Sequence, residues 1–310
     1  MGKIAFIFPG QGVQTVGMGE NLYNNSDAAH EVFSKANEIL GKSITNLCFK
    51  GPEDELKQTG NAQPAILTTS IAALEAFREK RVVVPDFVAG HSLGEYSAMY
   101  AAGVMDLPNI LKAIQKRADV MDKAAKSSKG AMSAVIGLTS DKVEECLTQM
   151  SAHGVVQIAN YNAPEQIVIT GDTDAVTLSA TLLKEAGAKR VLPLAVSGAF
   201  HSRLMRDAAA EFEAFVPSLE IHDAKIPVIT NVDAKKETKA DVFKEKMPKQ
   251  ICSSVYWTQT IEYMVSEGVD TFFEIGQGKV LAGLNKKIAQ DITTYNIYDM
   301  ASLADVLAQI

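Results

Sequence analysis

Short apolar runs alternate with amphipathic stretches along the first part of this chain. The run at residues 3–8 predicts an opening strand, and a second apolar run at 87–89 predicts another strand. Apolar residues recur at helical spacing elsewhere, which predicts helices over 28–40, 65–80 and 106–125. Asp106 can cap the last of these helices, and Pro108 suits its first turn.

The pattern of predicted elements changes after a polar linker, the predicted joint at residues 126–130. The next segments predict, in order, a strand at 132–138, a helix at 141–152, strands at 155–160 and 166–170, a helix at 175–186 and a strand at 190–196. This βαββαβ order is that of ferredoxin-like domains. We therefore expect a small ferredoxin-like domain over 127–196, inserted into a large domain made of 1–126 and 197–310.

Composition narrows the class of protein. With 310 residues, 47% hydrophobic and 22% charged, the chain can bury a large core. It holds no apolar run near the ~18 residues needed to span a membrane, and its start does not resemble a secretion signal. Three widely spaced cysteines predict neither a disulfide framework nor a zinc cluster, so we expect a reducing cytoplasm. The net charge of −7 disfavours a nucleic-acid partner.

The strongest candidate for chemistry is Ser92, in the sequence Gly90-His91-Ser92-Leu93-Gly94. The motif G-x-S-x-G, set between a strand and a helix, is the nucleophile elbow, a sharp turn that exposes the serine hydroxyl. A helix N-terminus behind the serine favours developing negative charge, which suits acyl transfer through a serine ester. Chance recurrence of a five-residue motif is the alternative interpretation.

A base for Ser92 is sought among five histidines, of which His201 is the best candidate. It follows a bend and precedes a helical pattern at 204–215, so it can face back into a cleft. A structural histidine is the alternative. The third member of a triad stays open, because the candidate acids that follow His201 have no distinguishing context: Asp207, Asp223, Asp233 and Asp241. An α/β-hydrolase would place its acid between serine and histidine, which weakens a plain esterase interpretation.

The loop after the first strand contains Gly10-Gln11-Gly12 but is not a dinucleotide fingerprint, since Thr15 stands where the third glycine is required. The better interpretation is an oxyanion hole formed by the backbone N–H groups of Gln11 and Leu93. A glycine turn without function is the alternative.

Arg117 gives a clue to the substrate. It shares one helix face with Ile110, Ile114 and Met121, and a buried arginine requires an anion. A guanidinium grips a carboxylate through two parallel hydrogen bonds. The alternatives are that Arg117 pairs with a carboxylate of the protein itself, or that its side chain reaches water.

These segments together resemble the malonyl-CoA:acyl carrier protein transacylases. The matching pieces, in chain order, are Phe8-Pro9-Gly10-Gln11-Gly12, Gln63-Pro64-Ala65, residues 90–96, Arg117, Asn160-Tyr161-Asn162, Gly198-Ala199-Phe200-His201-Ser202, Asn231-Val232-Asp233, Gln250 and Glu274-Ile275-Gly276. The resemblance implies an α/β fold, with a hydrolase-like core around a parallel sheet and a ferredoxin-like insert. Two departures lie in loops: Val13 replaces a small polar residue, and Gln277 replaces a proline.

The resemblance also implies roles. Ser92 would accept the malonyl group, His201 would act as base and then acid, and the main-chain carbonyl of Gln250 would orient the histidine. Arg117 would bind the malonyl carboxylate. The substrate pocket would contain Met121, Phe200, Asn160 and Asn162, with Phe200 crowding an α-methyl branch.

The expected function is therefore ping-pong transfer of malonyl from malonyl-CoA to the phosphopantetheine thiol of acyl carrier protein, for fatty-acid synthesis. The CoA thioester is a substrate, and we expect no cofactor, metal, nucleic acid or membrane partner. Lys189-Arg190 and Lys286-Lys287 are candidate docking pairs for an acidic carrier protein. We expect a free-standing monomer in the cytoplasm, or in a plastid-like organelle after removal of a transit peptide. The alternatives are a thioesterase, an inactive scaffold and a polyketide loading enzyme.

Overall fold

Two β-sheets organise the chain in the computed structural model, which describes residues 2–196 and 198–310. The first part of the chain forms β1 (Lys3–Phe8), α1 (Glu20–Asn25), α2 (Asp27–Leu40), α3 (Ile44–Lys50), α4 (Glu53–Lys57), α5 (Thr59–Lys80), β2 (Phe87–Gly90), α6 (Gly94–Ala101) and α7 (Leu107–Ser127).

The middle part supplies the smaller sheet and the helices that pack on it. It forms β3 (Gly130–Ile136), α8 (Ser140–Thr148), a 3₁₀ turn (Ser151–His153), β4 (Val156–Ala163), β5 (Gln166–Asp172), α9 (Thr173–Glu185) and β6 (Arg190–Pro193).

The last part returns to the larger sheet. It forms 3₁₀ turns at Arg203–Met205 and Val216–Ser218, with α10 (Arg206–Phe215) between them, then β7 (Val228–Ile229), β8 (Lys236–Glu237), α11 (Ala240–Cys252), α12 (Trp257–Ser266), β9 (Val269–Ile275), α13 (Val280–Ile288), β10 (Thr293–Ile297) and α14 (Met300–Leu307).

The larger sheet has the strand order β10-β9-β1-β2-β7-β8 and is parallel except for β8. Alternate residues of β1 enter different cores: Phe6 and Phe8 pack on one face, and Ala5 and Ile7 pack on the other. Helices therefore cover both faces, as parallel sheets require. Because β1 and β2 are parallel and Phe8 pairs with Gly90, the loops that follow these strands meet at one edge.

The smaller sheet is antiparallel, with the order β4-β5-β3-β6, and α8 and α9 cover one face. Its strand β4 also contacts the larger unit. The Tyr161 N–H donates to the Val255 carbonyl at 2.9 Å, and the Val255 N–H donates to the Ala159 carbonyl at 2.8 Å. These backbone hydrogen bonds join the β4 edge of the small sheet to the segment between α11 and α12.

Helix α5 runs through the large core and carries a proline inside it. Pro64 has no N–H, so the Gly60 carbonyl lacks its usual intrahelical partner. The side chains of Lys42 and Gln115 donate to that carbonyl instead, at 3.1 and 3.2 Å. This substitution lets the helix begin at Thr59, six residues before the predicted start at residue 65.

Most predicted elements are confirmed, with shifted ends. The strand at 3–8 is confirmed to the residue, and Asp106 caps α7 by accepting from the Asn109 N–H at 2.9 Å. The predicted joint at 126–130 is shorter than expected, because α7 continues to Ser127 and β3 begins at Gly130. Between residues 226 and 231, only Val228–Ile229 forms a strand. Ser197 lies outside the described residues.

Candidate active site

Ser92 lies in a tight turn between β2 and α6, with a φ of 53° in the left-handed region. The flanking glycines make this turn possible. A Cβ at Gly90 would lie 1.9 Å from the Gly94 carbonyl carbon, and one at Gly94 would lie 2.2 Å from the Phe8 oxygen. The strained serine backbone and the close packing of the turn are those of a nucleophile elbow.

His201 is the hydrogen-bond partner of the serine, with Ser92 Oγ and His201 Nε2 2.7 Å apart. Its Nδ1 lies 3.0 Å from the Gln250 carbonyl and 3.1 Å from the Ser253 carbonyl. Two carbonyl acceptors require a proton on Nδ1, which leaves Nε2 as an acceptor for the serine hydroxyl. Burial, reinforced by the charge of Arg117, lowers the pKa of His201 to about 3, so the imidazole is neutral near pH 7.

Three of the four acidic candidates for a triad pair with lysines. Asp223 bonds Lys239, Asp233 bonds Lys246, and Asp241 bonds Lys244. Asp207 lies in the first turn of α10. Two main-chain carbonyls, the predicted one of Gln250 and that of Ser253, occupy the place of the acid.

Arg117 is 1% exposed, and its described hydrogen-bond partners are all neutral. Nη1 donates to Gln63 Oε1 at 2.7 Å, and Nη2 donates to Gln250 Oε1 at 3.0 Å and to Ser92 Oγ at 3.1 Å. Its guanidinium also lies 5.5 Å from the Tyr96 ring centre. Burial lowers its pKa, but an arginine stays protonated in proteins. The site therefore holds a buried cation, bonded to amide and hydroxyl oxygens, within reach of the nucleophile.

Two backbone N–H groups are available beside Ser92. Those of Gln11 and Leu93 donate to no acceptor within the ranges 2–196 and 198–310. The loop that carries Gln11 is held in place, because the Gly12 N–H donates to Gln14 Oε1 at 2.7 Å and the His91 N–H donates to the Phe8 carbonyl at 3.0 Å. An oxyanion hole requires free donors that are aimed at the place where negative charge develops, and these two N–H groups are the candidates.

A cavity of about 420 Å³ opens onto this site. Its lining includes Ser92, His201 and three predicted pocket residues: Met121, Phe200 and Asn160. Asn162 is not among the lining residues, and its Oδ1 lies 2.7 Å from Nε2 of His91, which does line the cavity. Register shifts on β4 between Ile158 and Asn160, and again after Tyr161, break the alternation of side chains along the strand.

Two polar residues of the site carried no predicted role. Gln63 bonds Arg117, as described above. Asn231 brackets the elbow, in the sense that its side chain hydrogen-bonds to both sides of the turn. Its Oδ1 accepts from the Ser92 N–H at 2.8 Å, and its Nδ2 donates to the Gly90 carbonyl at 2.7 Å. Both residues lie in segments that match the family resemblance, and that was their only signal in the sequence.

Neither a metal site nor a membrane span is found in the described part of the chain. No group of three potential metal ligands occurs there. No helix among the described residues is both long and apolar enough to cross a bilayer.

The sequence and the fold are both shared with known proteins. A sequence model of the acyl transferase domain matches residues 5–300. The chain belongs to the acyl transferase family. The resemblance found in the sequence is thereby confirmed, and so is the expectation of an acyltransferase enzyme. The α/β fold, with a mostly parallel sheet and a second sheet, is that of the solved relatives described below.

Three relatives of this acyl transferase are informative. The Malonyl CoA-acyl carrier protein transacylase of Bacillus subtilis is 45% identical over 300 residues, which cover 96% of this chain and 94% of the relative. An acyl carrier protein S-malonyltransferase structure from Vibrio cholerae has a TM-score of 0.95 at 40% identity, covering 98% of this chain and 99% of that one. A malonyl-transacylase solved in complex with its type II polyketide acyl-carrier protein has a TM-score of 0.96 at 36% identity, covering 99% and 100%.

Proposed function

We propose that this acyl transferase moves the malonyl group from malonyl-CoA to the phosphopantetheine thiol of acyl carrier protein, through an ester on Ser92. The names of the relatives support this substrate and this acceptor. The observation that carries the proposal is the Arg117 guanidinium, buried and bonded to neutral groups, 3.1 Å from Ser92 Oγ. A buried cation of this kind matches the free carboxylate that distinguishes malonyl from acetyl.

In the proposed first half-reaction, His201 Nε2 takes the proton of Ser92 Oγ while the oxygen attacks the thioester carbonyl. The oxyanion accepts hydrogen bonds from the N–H groups of Gln11 and Leu93. The tetrahedral intermediate then breaks its carbon–sulfur bond. The CoA sulfur leaves with the proton that His201 held, and the malonyl ester remains on Ser92.

In the second half-reaction, His201 removes the proton from the pantetheine thiol of the carrier protein. The sulfur attacks the ester carbonyl, and collapse of the intermediate returns the proton to Ser92 Oγ. The Gln250 and Ser253 carbonyls stabilise the imidazolium that forms in each half-reaction, because both accept from Nδ1. We expect no cofactor, since proton transfer and the serine ester complete the chemistry.

The cavity walls are proposed to set the acyl preference. Phe200 and Met121 are apolar and buried, and Asn160 supplies an amide. We infer that Phe200 crowds an α-methyl branch. One methyl is worth only ~1–3 kcal/mol of discrimination, so some transfer of methylmalonyl is expected.

We propose that the chain forms the two domains that the sequence predicts. Residues 127–196 form a ferredoxin-like small domain, and 1–126 with 197–310 form a hydrolase-like catalytic domain. The order β4-β5-β3-β6 and the parallel larger sheet support this division. We further propose a monomer, located in the cytoplasm.

The carrier protein is proposed to dock near the turn between β4 and β5. Lys189 lies 3.7 Å from Glu165, and Lys287 donates to the neighbouring Gln166 at 2.7 Å. One lysine of each predicted basic pair, Lys189-Arg190 and Lys286-Lys287, thus reaches the same turn. Charge reversal at these pairs should slow transfer at low salt, and an unchanged rate would remove this surface from the proposal.

The test of the proposed function is a product assay with malonyl-CoA and acyl carrier protein. Holo carrier protein, which bears phosphopantetheine, should gain one malonyl group by mass, and apo carrier protein should gain none. Release of free malonate and CoA with both carrier forms would instead make the chain a thioesterase. Absence of both products would favour the scaffold alternative.

A further inference from the structure

Glu95 is a buried carboxylate that the proposed chemistry does not use. It lies in the first turn of α6, three residues after Ser92, and is 2% exposed. Its described hydrogen-bond donors are the Asn231 N–H at 2.9 Å and Gln250 Nε2 at 3.0 Å, and both meet the same oxygen, Oε2. Burial raises the pKa of Glu95 to about 7, and these hydrogen bonds and the charge of Arg117 oppose the rise. A buried carboxylate is costly to keep, so its contacts indicate what it does.

One of the two donors belongs to the residue that brackets the elbow. Asn231 accepts from the Ser92 N–H and donates to the Gly90 carbonyl through its side chain. Its backbone N–H is held by Glu95. Glu95 therefore fixes the loop from which Asn231 reaches the strained serine, whose left-handed backbone costs roughly 1–2 kcal/mol without such support.

The second donor, Gln250, also contacts the serine, the arginine and the histidine of the site. Its Nε2 donates to Glu95 and to the Ser92 carbonyl, both at 3.0 Å. Its Oε1 accepts from Arg117 Nε at 3.2 Å and from Nη2 at 3.0 Å. Its main-chain carbonyl accepts from His201.

The acceptors around Nε2 decide which way the Gln250 amide faces. The Ser92 carbonyl can only accept, and Glu95 Oε2 accepts from the Asn231 N–H as well, so the NH₂ group faces these two oxygens and Oε1 faces Arg117. Without Glu95, one of the two acceptors that enforce this orientation is lost. The amide is then held less firmly against Arg117, since only the Ser92 carbonyl still accepts from Nε2.

We propose that Glu95 is a positioning residue that links the nucleophile to the substrate-binding arginine, by holding Asn231 behind Ser92 and holding the Gln250 amide against Arg117. The amide of Gln250 separates the carboxylate of Glu95 from the guanidinium. Arg117 is thus oriented by a neutral oxygen rather than occupied by a carboxylate, and it keeps its charge for the carboxylate of the acyl group. This inference rests on the proposed malonyl specificity.

Kinetic measurements can separate the effect of Glu95 on the serine turn from its effect on Arg117. Loss of Glu95 should weaken the elbow, which both malonyl and acetyl donors use, and should also loosen Arg117, which only malonyl uses. The selectivity ratio, kcat/KM for malonyl-CoA over kcat/KM for acetyl-CoA, isolates the second effect. A residue that only stabilises the fold would lower both rates and leave the ratio unchanged.

The experiment measures this ratio for acylation of Ser92 in the full chain, with Glu95→Ala, Glu95→Gln and a matched control, Glu274→Ala. Glu274 is also a buried carboxylate with a pKa raised by burial to about 7, but it accepts from the N–H groups of Leu281 and Ala282 at the start of α13. If Glu95→Ala does not fold, Glu95→Met replaces it, because methionine fills the same space without a carboxylate.

The proposal predicts that Glu95→Ala lowers the ratio tenfold or more, mainly through a higher KM for malonyl-CoA. Glu95→Gln should restore the ratio to within threefold, because its amide oxygen can accept the same two hydrogen bonds. Glu274→Ala should lower the Tm and leave the ratio alone. The proposal is overturned if Glu95→Ala keeps the ratio, or if Glu95→Gln loses it as fully as Glu95→Ala. A wild-type chain that forms no malonyl ester would instead refute the proposed function.

Discussion

Replacement of Arg117 by alanine is the perturbation that separates malonyl from acetyl most sharply. The change removes a buried cation 3.1 Å from Ser92 Oγ and leaves the oxygens of Gln63 and Gln250 without their donor. A charge-assisted hydrogen bond contributes about 1.5–3 kcal/mol. At about 1.36 kcal/mol for each factor of ten, the preference for malonyl-CoA over acetyl-CoA should fall by roughly 10- to 150-fold.

The assay is the initial rate of Ser92 acylation, followed by intact-protein mass, with malonyl-CoA and acetyl-CoA in separate reactions. Arg117→Lys should give an intermediate preference, because lysine keeps the charge but lacks the planar fork. Arg78→Ala is the matched control, since Arg78 pairs with Glu75 at 2.9 Å outside the cavity. Its preference should equal that of the wild type.

The reasoning would be refuted by an Arg117→Ala enzyme that still prefers malonyl-CoA as strongly as the wild type. An equal fall in the acylation rates with malonyl-CoA and acetyl-CoA would also contradict it. Arg117 would then only position Ser92 and would not bind the malonyl carboxylate. A loss confined to malonyl-CoA and expressed mainly in KM would confirm a contact with the substrate carboxylate.

Three further predictions concern the groups around the serine. Because the pKa of His201 is lowered to about 3, its neutral form persists from about pH 5 to about pH 8, and the acylation rate should stay nearly constant there. A tenfold fall per unit below about pH 6.5 would contradict this. Asn231→Ala should lower the Tm and slow acylation by both donors tenfold or more, since Ser92 N–H loses its acceptor at a cost of about 1–3 kcal/mol; an unchanged rate would contradict the bracketing role. Gln250→Glu should place a carboxylate on Arg117 and lower the malonyl preference in the same rate assay, whereas an unchanged preference would show that Arg117 does not bind the substrate.

Local pattern was enough to find the groups that carry the proposed chemistry. Ser92 stands in a short motif between a strand and a helix, and Arg117 stands out as a charge on an apolar helix face. The place of His201 after a bend makes it the candidate base. Each of these signals spans only a few residues, so a single sequence contains it.

The polar network behind these groups could not be found in that way. Ser92 and Asn231 are 139 positions apart, and the side chain of Gln250 contacts the Ser92 carbonyl across 158 positions. Hydrogen bonds between such distant segments leave no local periodicity. Asn160 lines the cavity whereas Asn162 bonds His91, and the register shifts in β4 around these residues likewise leave no signal in a single sequence.

Helix α5 shows the same limit in the fold. A proline normally lies in the first turn of a helix, and the helical spacing predicts a start at residue 65, directly after Pro64. The true start at Thr59 depends on Lys42 and Gln115, which satisfy the carbonyl that Pro64 leaves free. Those partners come from other parts of the chain and are visible only in three dimensions.

The most direct test of the central claim is the intact mass of the protein after brief mixing with malonyl-CoA, in the absence of carrier protein. The account predicts a single malonyl ester that is absent in Ser92→Ala and disappears when holo carrier protein is added. The account would be contradicted by a malonyl adduct that persists in Ser92→Ala, or by steady release of free malonate without any adduct on the wild-type protein.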